Sequence, residues 1–176
     1  MKNETSTTCR FPIGDFEQVK EKVLNWTQRF GTFCFLDNHQ YPLQPHSEEC
    51  LLAAGVKRQL QAAAGDALKQ LQQFIDAAER SDGDRQTDGW LFGHLGYDLK
   101  NEVEQLSSGN PDGIGFPDLF FFEPEILIRL NSGEMIIEGK DPEQVFREIS
   151  EGVFSSPVVL HRVNIQLRFS REEYIR

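Results

Sequence analysis

Positive charge is scarce in this sequence and nowhere clustered. Lys and Arg together number 18 against 28 Asp and Glu, a formal net charge of −10 over 176 residues. A surface that grips nucleic acid or an anionic membrane concentrates cations, so this balance argues against both partners. Cysteine is scarcer still. Cys9, Cys34 and Cys50 are too few and too scattered for a disulfide framework or a zinc site. The four histidines, His39, His46, His94 and His161, show no helical i, i+4 pairing. No run approaches the ~20 apolar residues of a membrane span. The polar opening, Met1 to Arg10, lacks the apolar segment of a signal peptide. What remains is a chain with 39% apolar and 26% charged residues, enough for a real core. The class so bounded is soluble, acidic and reduced, with a cytoplasmic location expected.

Periodicity then lays out the elements. Residues 1–14 read as a leader, frayed over the first ten. From Asp15 the residues Phe16, Val19, Val23, Trp26 and Phe30 recur at steps of three and four, the pattern of a helix that Asp15 can cap and Gly31 can stop. Thr32 to Leu36 and Cys50 to Gly55 read as short buried strands. Leu68, Leu71, Phe74, Ile75 and Ala78 give a second amphipathic helix. A third apolar stretch, Trp90 to Tyr97, is punctuated by Gly89, Gly93 and Gly96, which suggests bends or close backbone approach. Leu119 to Leu130 reads as one bulged or edge strand around Pro124, turning at Asn131-Ser132-Gly133 into a hairpin with Met135 to Ile137. Asp141-Pro142-Glu143-Gln144 predicts a helix start with Asp141 as its cap, and Val145, Phe146, Ile149 and Val153 as its apolar face. Loops are expected at Pro42–Pro45 and Ser81–Asp88, a turn at Asn110–Gly113, and two strand-like pieces over Val158–Phe169. Hairpins outnumber strand–helix alternation, so the class is α+β with a mostly antiparallel sheet and packed helices.

The end of the chain carries a signal of its own. Ser170-Arg171-Glu172-Glu173 fits a capping box, yet only Tyr174, Ile175 and Arg176 follow. A protein can end in a frayed turn. The preferred reading is that the chain is the N-terminal part of a longer polypeptide, because a single turn is not stable alone.

No catalytic constellation is assembled in the sequence. There is no nucleophile elbow, phosphate loop, His-Glu-x-x-His or Cys-x-x-Cys. His94 lies in an apolar stretch, where a ring fixed by a neighbouring carbonyl outweighs a catalytic role. Asp98, Glu102 and Glu104 could share a proton or hold a metal, but with Lys100 beside them they fit a helix cap and a solvated face better. Cys34 and Cys50 lack adjacent cations and read as packing residues. No catalytic, cofactor or metal residue is assigned.

Three blocks carry a resemblance. Gly89-Trp90-Leu91-Phe92-Gly93-His94-Leu95-Gly96-Tyr97-Asp98-Leu99 resembles the glycine-rich strand ending in Tyr-Asp found in the N-terminal region of chorismate-using enzymes, component I of anthranilate synthase and of aminodeoxychorismate synthase. Phe116-Pro117-Asp118-Leu119-Phe120-Phe121 with the Ile126–Leu130 strand resembles the next block, and Phe169 to Ile175 the opening of the chorismate-binding domain. The likeness runs from about Phe33 onward, with the Trp90–Leu99 block its most specific part and Gly93, Gly96, Tyr97 and Asp98 as the family motif within it. It implies an α/β/β/α sandwich, with 15–169 as the N-terminal domain and 170–176 as the start of a catalytic domain cut short. It also implies that chorismate and Mg²⁺ are held outside this chain. The implied partners are the protein's own C-terminal catalytic domain and a glutamine amidotransferase subunit, with self-association of the fragment as a further expectation.

One departure bears on the branch. Feedback-inhibited members of this family carry Leu-Leu-Glu-Ser on an N-terminal strand that helps bind tryptophan. Here the matching strand reads Leu51-Leu52-Ala53-Ala54, with methyl groups in place of the carboxylate and hydroxyl. Lys57-Arg58-Gln59 stands where the family has Arg-Tyr-Ser. The resemblance therefore implies weak tryptophan binding and the aminodeoxychorismate, folate-branch member, with the anthranilate member and a stand-alone effector- or partner-binding module as alternatives. Ala53 and Ala54 read equally simply as small strand residues in a packed core, and either reading predicts weak tryptophan binding.

Overall fold

The computed structural model describes residues 7–39, 41, 49–80, 89–104, 106, 113–152 and 170, with the side chains of 78–80 left aside. Eight strands and four helices follow in the order β1 (Thr7–Pro12), α1 (Phe16–Thr27), β2 (Phe33–Asp37), β3 (Cys50–Ala54), β4 (Arg58–Ala62), α2 (Ala67–Arg80), β5 (Phe92–Leu95), α3 (Lys100–Glu104), β6 (Leu119–Glu123), β7 (Ile126–Asn131), β8 (Glu134–Gly139) and α4 (Pro142–Glu151). The expected pieces at 42–45, 81–88, 110–112, 158–169 and 171–176, with His46 and His161, lie outside the described residues.

All pairings are antiparallel. One sheet has the order β1-β8-β7-β3-β2 and the other β4-β6-β5. Register assigns the faces, since neighbours across a ladder point the same way. On one face of the larger sheet, Leu52, Ile128 and Ile137 align, and they pack with Val23 and Trp26 of α1 and Val145 and Ile149 of α4. On the other face, Ala53 and Leu127 meet Phe92 and Phe122 of the smaller sheet. The far side of that sheet, Ala62 and Leu119, is covered by Ala67 and Leu71 of α2 together with Leu99. The layers therefore run helix, sheet, sheet, helix, as the resemblance implied. Among the described residues no helix is long and apolar enough to cross a membrane.

The two sheets share their strands at a corner. Ala54 pairs with Ile126 in the larger sheet and Arg58 with Glu123 in the smaller one. Between them Gly55, at φ 72°, lies so close to Glu125 that a Cβ would sit 2.5 Å from its carboxylate. Pro124 breaks the opposing ladder at the same level, and Lys57 N donates to the Glu123 carbonyl at 2.9 Å. One β-ribbon thus bends sharply and feeds both sheets, a corner of the kind made where strands switch sheets.

The structure departs from the expected elements at several points. The Leu119–Leu130 stretch is two strands in different sheets, and β6 is the central strand of its sheet rather than an edge. Pro124, lacking an N–H, marks the break. Thr7 to Pro12, read as leader, form the outer strand β1, held by pairing to β8. Arg58 to Ala62 form β4, which the pattern did not announce. The Trp90–Tyr97 stretch is a strand only over Phe92–Leu95, followed by a tight 3-10 turn at Tyr97–Leu99. α1 is capped by Asp15, whose carboxylate accepts from Gln18 N, but it ends at Thr27, before Gly31. α4 begins at Pro142 as expected, yet Asp141 sits in the left-handed region at φ 50° and its side chain caps nothing. A capping side chain needs extended backbone at that position. The Asp141 carbonyl instead accepts from Gln144 and Val145.

Candidate functional site

The glycine-rich motif is built at the edge of the smaller sheet. A Cβ on Gly93 would stand 1.9 Å from the Phe120 carbonyl oxygen, and one on Gly96 2.9 Å from that of Asp118. Both glycines let β5 and its exit lie directly on the β6 backbone, and Gly96 N donates to Asp118 O at 2.6 Å. His94 faces Phe120 across the ladder, and its Nε2 is 2.9 Å from the Pro117 carbonyl. A carbonyl only accepts, so Nε2 carries the proton and the ring is fixed by that oxygen. Leu99 is buried against Ala62, Ala67 and Leu119. These residues serve the fold.

Tyr97 and Asp98 do not. Tyr97 is 82% exposed, with Lys100 Nζ 3.8 Å from the centre of its ring and 3.4 Å from Asp98 Oδ1. The motif ends in an exposed aromatic tip flanked by one charge of each sign. Leu95 on β5, Val103 on α3, and Ile114 and Phe116 in the stretch before β6 are also exposed. Along this stretch Trp90, Leu95 and Tyr97 are exposed, while Leu119, Leu127 and Leu130 are buried.

Of the acids Asp98, Glu102 and Glu104, Glu102 has a defined task. Its carboxylate accepts from the backbone N–H groups of Gly65, Ala67 and Leu68, so it caps α2 from 35 residues away. The sequence marked it as a cap or a solvated face; only the fold shows which helix it caps. Among the described residues no three His, Cys, Asp or Glu side chains gather to hold a metal ion.

The strand Leu51-Leu52-Ala53-Ala54 runs between β2 and β7. Leu52 and Ala54 turn toward α1 and α4, and Ala53 turns toward the smaller sheet, where it is fully enclosed by Phe92, Phe122 and Leu127. Both alanines are fully buried.

A cleft of about 470 Å³ lies elsewhere, at the corner where the two sheets join. Trp26, Arg29 and Phe30 from the end of α1, Gln144 and Glu148 from α4, and Lys57 and Lys140 from the strand ends are among its walls. Glu148 organises it, accepting from Trp26 Nε1, Arg29 Nη1 and Gln144 Nε2. The Trp26 indole N–H, then Gln144, hold its carboxyl below the usual range. The cleft pairs an aromatic wall with charges of both signs, which suits binding rather than bond-breaking. Its walls come from separate segments, so no local sequence signal announced it.

The thiols are not activated. Burial, then the Asp37 charge, pushes the Cys50 thiol up to about 12. Burial raises that of Cys34, and the bond from Cys9 Sγ to Glu143 raises that of Cys9.

No family model matches this sequence. It is similar to anthranilate synthase component 1 of Thermus thermophilus, 32% identical over 100 residues covering 49% of this chain and 22% of that protein. It is also similar to anthranilate synthase component 1 of Cereibacter sphaeroides, 41% identical over 49 residues covering 27% of this chain and 10% of that protein. The matched stretch thus spans about a fifth or less of these relatives' length.

Proposed function

We propose that this chain is the N-terminal, non-catalytic region of a synthase that aminates chorismate. The observation that carries the reading is the similarity to two component 1 proteins, joined to the architecture in which the motif that resembles that family's becomes a surface tip rather than a reacting centre. The substrate, the glutamine amidotransferase partner that supplies ammonia, and the chain's own catalytic region all belong to the proposal. In this reading the described region acts as scaffold: its sandwich supports the catalytic region and helps present it to the amidotransferase. Mg²⁺, when bound in such a synthase, acts as a Lewis acid on the substrate. The described residues offer no donor set that fits it, so no step is assigned to it here.

The product we propose is aminodeoxychorismate, destined for 4-aminobenzoate. Support comes from β3, where Ala53 and Ala54 are enclosed in the core and offer neither charge nor hydroxyl to an amino-acid effector. A specific observation favours the second reading, anthranilate formation: both relatives carry that name. One assay separates them. The gene's full product is incubated with chorismate, Mg²⁺ and ammonia, with and without a lyase that converts aminodeoxychorismate to 4-aminobenzoate. A 4-aminobenzoate signal that requires the lyase supports the first reading. Direct anthranilate fluorescence moves the protein to the second. Turnover by the 176 residues alone overturns the scaffold role.

A further inference from the structure

Helix α2 is not capped by its own sequence. Asp66, beside its start, turns its carboxylate to the Gln70 side chain instead. The N–H groups of the turn are met from elsewhere: Glu102 accepts from Gly65 and Ala67 at 2.7 Å each and from Leu68 at 3.2 Å, and Asp118 accepts from Ala64 at 2.8 Å. The arm that brings Glu102 into place is itself lightly held. It comprises the 3-10 turn Tyr97–Leu99 and the five-residue α3, a length with no stability of its own. No residue of α3 is buried, and Val103 is 70% exposed. Leu99, seated with Ala62, Ala67 and Leu119, holds the arm from inside; Glu102, one turn further on, holds it from outside.

We propose that residues 96–104 act as a releasable strap on α2. With Leu99 seated and Glu102 on the helix start, α2 stays clamped over the outer face of the smaller sheet. When the arm lifts, the first turn of α2 opens with it and uncovers Leu60, Ala62 and Phe121. The strap is a local opening unit of the kind drawn from the least stable part of a fold.

Protonation lifts the same clasp. Burial pushes the Glu102 carboxyl up, but the N–H groups of Gly65, Ala67 and Leu68 together outweigh it and bring the group below its ordinary value. A carboxyl depressed in the folded state stabilises above its unfolded value, and that contribution is lost as pH falls through the folded one. The other titratable groups of the elements that meet at this clasp are Asp66 just before α2, Lys69 on its first turn, Asp98, Lys100 and Glu104 on the arm, His94 on β5 and Asp118 just before β6. Replacement of Glu102 alone separates its part from theirs.

The test is native-state amide exchange on the whole chain. Glu102→Gln is expected to reduce protection at Gly65, Ala67 and Leu68 by about five- to tenfold, the size of a lost cap, with Leu127 and Ile137 unchanged. Glu102→Asp restores part of it. Leu99→Ala, which leaves Glu102 intact, is expected to reduce protection at the same three amides. In the unaltered chain that protection falls with pH through the carboxyl range, and in Glu102→Gln it does not. Unchanged protection in either Glu102→Gln or Leu99→Ala overturns the strap. A loss of protection spread equally over the five-stranded sheet overturns it too, since opening is then global.

Discussion

Gly93→Ala is the sharpest test of the motif's structural role. The added methyl would stand 1.9 Å from Phe120 O, 2.7 Å from Phe121 Cα and 2.8 Å from Phe120 C. All three are backbone atoms of the central strand, so no side chain can swing away. β5 has to withdraw by about 1 Å before the contact reaches even 3.0 Å. That movement stretches a ladder of only four residues, Phe92 to Leu95 against Leu119 to Phe122, whose hydrogen bonds are worth about 1 kcal/mol each net. It also draws Phe92 off Phe122, now 6.1 Å apart at their centres, and so loses part of the roughly 1.5–3 kcal/mol that a buried Phe contributes.

Loss of about 3 kcal/mol is expected, at the upper end of the usual cost of overpacking. For a chain of this size that corresponds to a fall in Tm of about 6–12 °C. The assay is urea and thermal unfolding beside Gly14→Ala, whose added methyl meets nothing within 4 Å. If the two variants unfold within about 0.5 kcal/mol of each other, the close approach at Gly93 is not what the motif's glycine provides.

Two further outcomes follow from buried groups. Glu138 is buried and paired with Arg129 on the sheet face turned away from α1 and α4; Arg129→Met is expected to cost about 3 kcal/mol or more by stranding that carboxylate, and adding Glu138→Leu should recover most of the loss in the same unfolding assay. The Cys50 thiol, ordinarily near 9.0 and here about 12, should resist a thiol reagent at pH 8 until the chain is unfolded in urea. Because the unfolded thiol ionises first, Cys50 should stabilise the fold fully below about 9.0 and progressively less as pH rises toward 12.

Where an element's apolar residues repeat along one face, the sequence revealed it. Phe16, Val19, Val23 and Trp26 all pack as the helical spacing predicted, and the Asn131–Gly133 turn closes the β7–β8 hairpin. The elements it hid owe their structure to distant partners. Thr7 to Pro12 alternates only over Cys9 and Phe11, too short a run to announce a strand, and β1 owes its place to its pairing with β8 and to Phe11 stacked on Phe146 of α4, 4.1 Å between ring centres. Arg58 to Ala62 offers little more than Leu60 to a reader, because only one of its faces meets the core. At Pro124 the local pattern could show a break but not that the chain changes sheets there. The site behaved alike: His94 was legible because its partner type was generic, whereas Glu102 and the cleft at Glu148 depend on segments far apart in sequence.

The corner at Gly55 and Pro124 explains why the motif must be so tightly made. Because β6 continues directly into β7, the smaller sheet cannot slide on the larger one without breaking the ribbon they share. β4 is fixed by the same corner through Gly55. β5 alone has no such continuity; it is joined to the sheet only through β6. Its position therefore depends on how closely it lies on β6, which Gly93 and Gly96 permit, and on the His94 bond to the Pro117 carbonyl that leads into β6. A strand located in this way carries its exit with it, so the exposed Tyr97–Asp98 tip and the Glu102 clasp are both set by contacts at Phe120 and Asp118. The glycines and the tip are consequently one device. The glycines determine where the exposed tip stands.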